Sequence, residues 1–231
     1  MKATLLLAST AVLALTAGAV ASPVLRPTAI MKSTHRARHF SFTRQNSVTL
    51  YDQSVTSNSV AVVSQNFTDS SFTSYDSWAA DDFVLPGTEK RKITAVFASG
   101  RYYGWPGPAD SVNVAFYKKI KKGVGTLLKA CPSEGYSDLS GTGAFLVDVS
   151  NCGVRVKGGQ HRWVSAQANM AFDTGGEWYW NTDLILHGSK ALWENPDNGF
   201  GTGCTRWKPL QACFPPSSGV GMDFAFALFG H

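Results

Sequence analysis

Asp76, Asp81 and Asp82 crowd the segment Tyr75-Asp76-Ser77-Trp78-Ala79-Ala80-Asp81-Asp82-Phe83, with Asp52 upstream. Three chemistries suit such a cluster. The carboxylates can hold a hard cation, and calcium fits oxygen-rich loops of exported β-domains. Two of them can flank a sugar as the acid pair of a glycosidase. They can also be structural acceptors that close a loop. Neighbouring residues on a strand point to opposite faces, so Asp81 and Asp82 are not expected on the same side. Whichever turns inward beside Phe83 needs backbone N–H groups, an Arg or a cation as partner. No D-x-[DN]-x-[DN]-G loop is present to make calcium specific.

The second constellation is aromatic. Trp178, Tyr179 and Trp180 follow Gly175-Gly176-Glu177, while Tyr102, Tyr103 and Trp105 sit in a Gly/Pro loop. Trp193 precedes Glu194-Asn195-Pro196, and Trp207 lies between Cys204 and Cys213. Alternation puts Trp178 and Trp180 on one face of a strand and Tyr179 on the other. Flat rings beside Asn, Asp and Glu can stack on sugar faces, which makes Trp178, Trp180, Tyr103 and Trp105 the candidate ligand contacts. The competing expectation is that these tryptophans close the ends of a β-sandwich core.

Signatures of catalysis are missing. The chain has no G-x-S-x-G, no H-E-x-x-H, no Walker A loop and no Rossmann glycine pattern. The glycines of Gly199-Phe200-Gly201-Thr202-Gly203 read as a loop that needs unusual backbone angles. His161 and His187 are the internal histidines of the folded body, with His231 at its end, and no catalytic residue is assigned. Were the domain an enzyme, its acids would come from Asp76, Asp81, Asp82, Glu177 and Glu194.

The elements that must position these groups are strands. Met222, Phe224, Phe226 and Leu228 alternate with smaller or polar residues, as do Val112, Val114 and Phe116, and Phe145, Val147 and Val149. The stretches 93–98 and 163–170 are also strand-like. Gly/Pro/Asn/Asp/Ser clusters separate them, and no segment of the mature chain carries a sustained helical stripe. This predicts an all-β, antiparallel sandwich or jelly roll, with the last strand central. Lys118-Lys119-Ile120-Lys121-Lys122 precedes Gly123-Val124-Gly125 and reads as a hairpin tip whose charges guard an edge, or else as a polyanion contact.

The N-terminal residues read as an export signal: Lys2, an apolar run from Leu5 to Ala14, then Ala19-Val20-Ala21 with cleavage after Ala21. That core is too short to span a bilayer, and no later stretch does so. Residues 22–49 carry five basic residues and no acid, predicting a disordered arm. Residues 50–231 hold 15 basic and 16 acidic residues and make one domain. The basic balance belongs to the arm, so nothing points to nucleic acid. Export predicts that the four cysteines form bridges rather than a metal site. Of the three connectivities, the local one, Cys131–Cys152 with Cys204–Cys213, is expected, since each pair brackets a segment able to fold back.

A wider resemblance joins these pieces. The residues Ser64-Gln65-Asn66-Phe67, Tyr75-Asp76, Ala79-Ala80-Asp81-Asp82-Phe83 and Gly107-Pro108-Ala109-Asp110-Ser111-Val112-Asn113-Val114 resemble a family of exported, largely bacterial β-sandwich domains of uncharacterised function. So do Trp163-Val164-Ser165-Ala166-Gln167-Ala168-Asn169-Met170, Trp178 with Trp180, Asn195-Pro196, and Gly199-Phe200-Gly201-Thr202-Gly203-Cys204-Thr205-Arg206-Trp207. The chain departs from that pattern at the basic hairpin and at Val124, where proline is expected. The resemblance implies an extracellular sandwich and no established activity, so no catalytic residue is carried over. The expectation is a secreted, non-catalytic binding or surface-interaction module with glycan or cell-envelope polymer as ligand. A secreted polysaccharide hydrolase or lyase is the alternative, and a purely structural or protein-contact domain the third.

Overall fold

A computed structural model describes residues 25–32, 47–54, 57–120, 123–139 and 141–231. The expected signal peptide and its cleavage point lie outside them. The described chain is all-β, in three sheets. The largest runs Lys208–Pro209, Leu192–Glu194, Trp78–Val84, His161–Met170, Ser111–Ile120, Gly123–Glu134, with Gln65–Phe67 pairing parallel to His161–Met170. A second runs Tyr136–Asp138, Phe145–Asp148, Lys90–Ala98, Phe226–Gly230, Val48–Asp52. The third runs Ile30–Lys32, Ser57–Val63, Glu177–Asp183, Asp223–Phe224, and Gly100–Tyr103 also pairs with Glu177–Asp183.

Alternation delivers the core. Val112, Val114 and Phe116 from the first sheet, Phe145 and Val147 from the second, and Trp178 and Trp180 from the third join one buried apolar cluster. Burial of each such side chain contributes roughly 1.5–3 kcal/mol. The C-terminal run is interior, as its pattern predicts, but it serves two sheets. Asp223–Phe224 pairs with Glu177–Asp183, and Phe226–Gly230 lies between Lys90–Ala98 and Val48–Asp52. Both its faces are apolar: Phe226 and Leu228 enter the main cluster, while Ala227 and Phe229 pack with Ala95 and Phe97. The local disulfides form, Cys131–Cys152 and Cys204–Cys213. Ile120 pairs with Gly123, while Lys121 and Lys122, the expected tip of the basic hairpin, lie outside the described residues.

The domain does not begin at residue 50. Ile30–Lys32 adds an edge strand to Ser57–Val63, Met31 enters the core, and Val48–Asp52 pairs with the C-terminal strand. Part of the expected basic arm is thus built into the sandwich. Its apolar residues Ile30 and Met31 find sheet and core to pack on, which a count of charges does not anticipate.

Candidate functional site

Gly100–Tyr103 leads into an exposed aromatic loop. Tyr102 is anchored: its backbone N–H donates to Thr142 O at 2.9 Å, and its hydroxyl meets Tyr136 Oη at 3.2 Å. Gly107 (φ +74°) turns beneath that ring, and a Cβ there would sit 2.5 Å from it. Tyr103 and Trp105 instead face outward, each 53% exposed. With Tyr102 and Pro106 they line an open groove of about 300 Å³, to which Gly104, Gly141 and Thr142 also contribute. A ligand there meets flat rings and backbone, the surface on which a sugar stacks.

Trp178 and Trp180 do not share this role. As alternation predicts they lie on one face, but that face is the interior, and both are fully buried. Trp178 stacks on Phe145 at 4.7 Å and donates from Nε1 to Gly143 O at 2.8 Å. Trp180 stacks on Phe224 at 4.7 Å and donates to Ala225 O at 3.0 Å. With ring faces covered and indole N–H groups paired, neither has a surface to offer a ligand.

The acidic cluster separates into different surroundings. Asp76 takes the Phe67 N–H at 2.7 Å, and burial raises its pKa. Asp81 turns inward, where its Oδ2 accepts from Gln53 Nε2 at 2.7 Å and Phe224 N at 2.6 Å, and its Oδ1 from Asp82 N at 2.8 Å. Its pKa stands well above the usual carboxylate range, chiefly through burial and then the nearby Asp223. Asp82 turns the other way, to Ser189 N at 2.8 Å and to the His161 ring. These acids do not make a calcium cage. Asp81 spends both oxygens on N–H donors, and Asp82 faces the opposite side of the strand. Among the described residues, the one close group of three metal-capable side chains is Cys131, Glu134 and Cys152, whose sulfurs form a disulfide.

Around Asp82 the fold assembles groups that lie far apart in the chain. Lys119 Nζ lies 2.8 Å from His161 Nδ1. An ammonium only donates, so Nδ1 accepts and the ring proton sits on Nε2, toward Asp82. Burial, then Lys119 and Arg162, hold the His161 pKa below its usual value. Burial raises Asp82 and Asp223 each to about 6. Asp223 accepts the His187 backbone N–H, and the His187 ring lies 3.6 Å from it. This ensemble was not legible in the sequence, which offered only isolated histidines.

Glu177, a candidate acid in the hydrolase reading, is sealed. The Thr28 N–H reaches both its oxygens, at 2.9 and 3.1 Å, and the Tyr179 hydroxyl lies 2.7 Å from Oε2. Tyr179 has one proton, yet Thr28 O also lies 2.7 Å from its hydroxyl. A proton on Glu177 lets both contacts be hydrogen bonds, in keeping with burial pushing this acid up to about 8. Burial likewise raises Glu194 to about 7. Comparison of the chain with known family models, curated proteins and solved structures returns no match.

Proposed function

We propose that this protein is an exported binding module that takes a glycan or cell-envelope polymer in the groove lined by Tyr103, Trp105, Gly141 and Thr142. One observation carries the reading: Tyr103 and Trp105 hold large rings in water on a loop whose neighbour Tyr102 is anchored. Exposed rings held in place bind with little ordering cost, and sugars present apolar faces to them. The alternative of a polysaccharide hydrolase draws less support, because the groove is walled by rings, proline, glycine and threonine while Glu177 lies sealed beneath Thr28. The two disulfides suit a protein that works outside the cell.

A pull-down on insoluble polysaccharides, with a glycan array beside it, tests the reading. Wild-type protein should be retained by at least one polymer without releasing reducing sugar. Trp105→Ala should lower retention about tenfold, the equivalent of about 1.4 kcal/mol for one lost ring contact. Tyr103→Ala should weaken it less. Retention unaffected by either substitution, or no retention on any polymer, would remove the groove from consideration.

A further inference from the structure

Between Glu177–Asp183 and Leu192–Glu194 runs a loop that opens with Leu184, Ile185 and Leu186, exposed by 61%, 49% and 42%. Three consecutive large apolar side chains in water are uncommon on a folded surface unless they serve a function. Their backbone is held in an unusual way. At alternate positions, the N–H of Ile185 donates to Asp183 Oδ1 at 2.9 Å, that of His187 to Asp223, and that of Ser189 to Asp82 Oδ1 at 2.8 Å. Loop N–H groups ordinarily turn to water; these three are satisfied from within by carboxylates of three different strands. Gly188 (φ +139°) fits the same design, since a Cβ there would lie 2.6 Å from Asp82 Oδ2. The loop thus carries apolar side chains outward and draws these donors inward. Entry into hydrocarbon requires backbone polar groups with internal partners, and here several are already provided.

We propose that the 184–190 loop is a membrane-docking tip, placing Leu184, Ile185 and Leu186 in the interfacial layer of a lipid bilayer while the exposed Lys190 faces anionic headgroups. Size favours a bilayer over a protein partner. Three side chains fall well short of the roughly 800 Å² per partner buried in a standard protein interface. A bilayer also needs no matching pocket, and apolar insertion combines with attraction to anionic lipid. This surface is separate in the chain from the aromatic groove, so either site can fail without the other.

Co-sedimentation of the folded protein with phosphatidylcholine vesicles, and with vesicles also containing phosphatidylglycerol, tests it. Binding is expected to both, stronger on the anionic vesicles by roughly fivefold for a lysine near the surface. Replacing Leu184, Ile185 and Leu186 together by Ser should lower binding at least tenfold, with an unchanged circular dichroism spectrum. Trp105→Ala should leave it untouched. Should the triple variant misfold, Ile185→Ser and Lys190→Glu singly give the same two readings, a lower overall affinity and a lost preference for anionic lipid. No binding to either vesicle, or equal binding by the serine variants, overturns the proposal. So does a concentration-dependent dimer abolished by the same substitutions in the absence of vesicle binding.

Discussion

Glu177 is a carboxylic acid kept neutral by its surroundings, and this has a measurable consequence. Its pKa rises from 4.5 to about 8 through burial. Between those values the unfolded chain has released a proton that the native state retains. The stability contributed by protonated Glu177 is therefore complete below about pH 4 and lost as pH climbs through about 8. Glu177→Gln keeps an acceptor for Thr28 and supplies an N–H for Tyr179 without a titrating proton. Thermal melts should show wild type and variant alike near pH 4, with the variant higher by several degrees at pH 9. A variant less stable than wild type at pH 9 would contradict the assignment of that proton. Asp81 illustrates the same physics in the core, where burial and the nearby Asp223 hold its pKa well above the usual carboxylate range while Gln53 and Phe224 donate to its oxygen.

Among the strands, Glu177–Asp183 does most to join interior and surface. It pairs with Ser57–Val63, Gly100–Tyr103 and Asp223–Phe224, and it sends Trp178 and Trp180 into the core. Trp178→Ala should cost about 3–5 kcal/mol in urea unfolding, the range for emptying a large aromatic site. Trp105→Ala, on the exposed loop, should stay within about 0.5 kcal/mol. Gly100→Ala tests the same packing from the other side. A Cβ at Gly100 would lie 2.5 Å from the Trp178 ring, and such overpacking costs typically 1–3 kcal/mol. Equal losses for Trp178→Ala and Trp105→Ala would contradict this division between buried and exposed rings. Strand alternation was readable at this level, down to Trp178 and Trp180 sharing a face. Which face meets water was not, because period two distinguishes two sides without saying what covers each.

Across the whole molecule, one disulfide ties Cys131, opposite Val114 in the largest sheet, to the turn Ser150–Cys152, and the other ties the loop residue Cys204 to the short helix Leu210–Cys213. Cys131–Cys152 spans 21 residues and Cys204–Cys213 spans 9. Loop-closure entropy assigns them about 3 and about 2.5 kcal/mol respectively. Reduction should lower the melting temperature, and Cys131→Ala/Cys152→Ala should lower it at least as much as Cys204→Ala/Cys213→Ala; an unchanged midpoint under reductant would contradict a structural role.

The β class, the alternating inward residues and the local disulfides follow from the amino-acid order alone, because strand periodicity and short loop closure are properties of neighbouring residues. The burial of Trp178 and Trp180, the exposure of Tyr103 and Trp105, and the entry of Ile30–Lys32 into a sheet were settled only by how strands pair. The same holds for the meeting of Asp82 with His161 and Ser189, and of Asp223 with His187. These groups stand 36 to 107 residues apart along the chain in their hydrogen bonds. No local pattern encodes such a distance; only the assembled sheets bring the groups together.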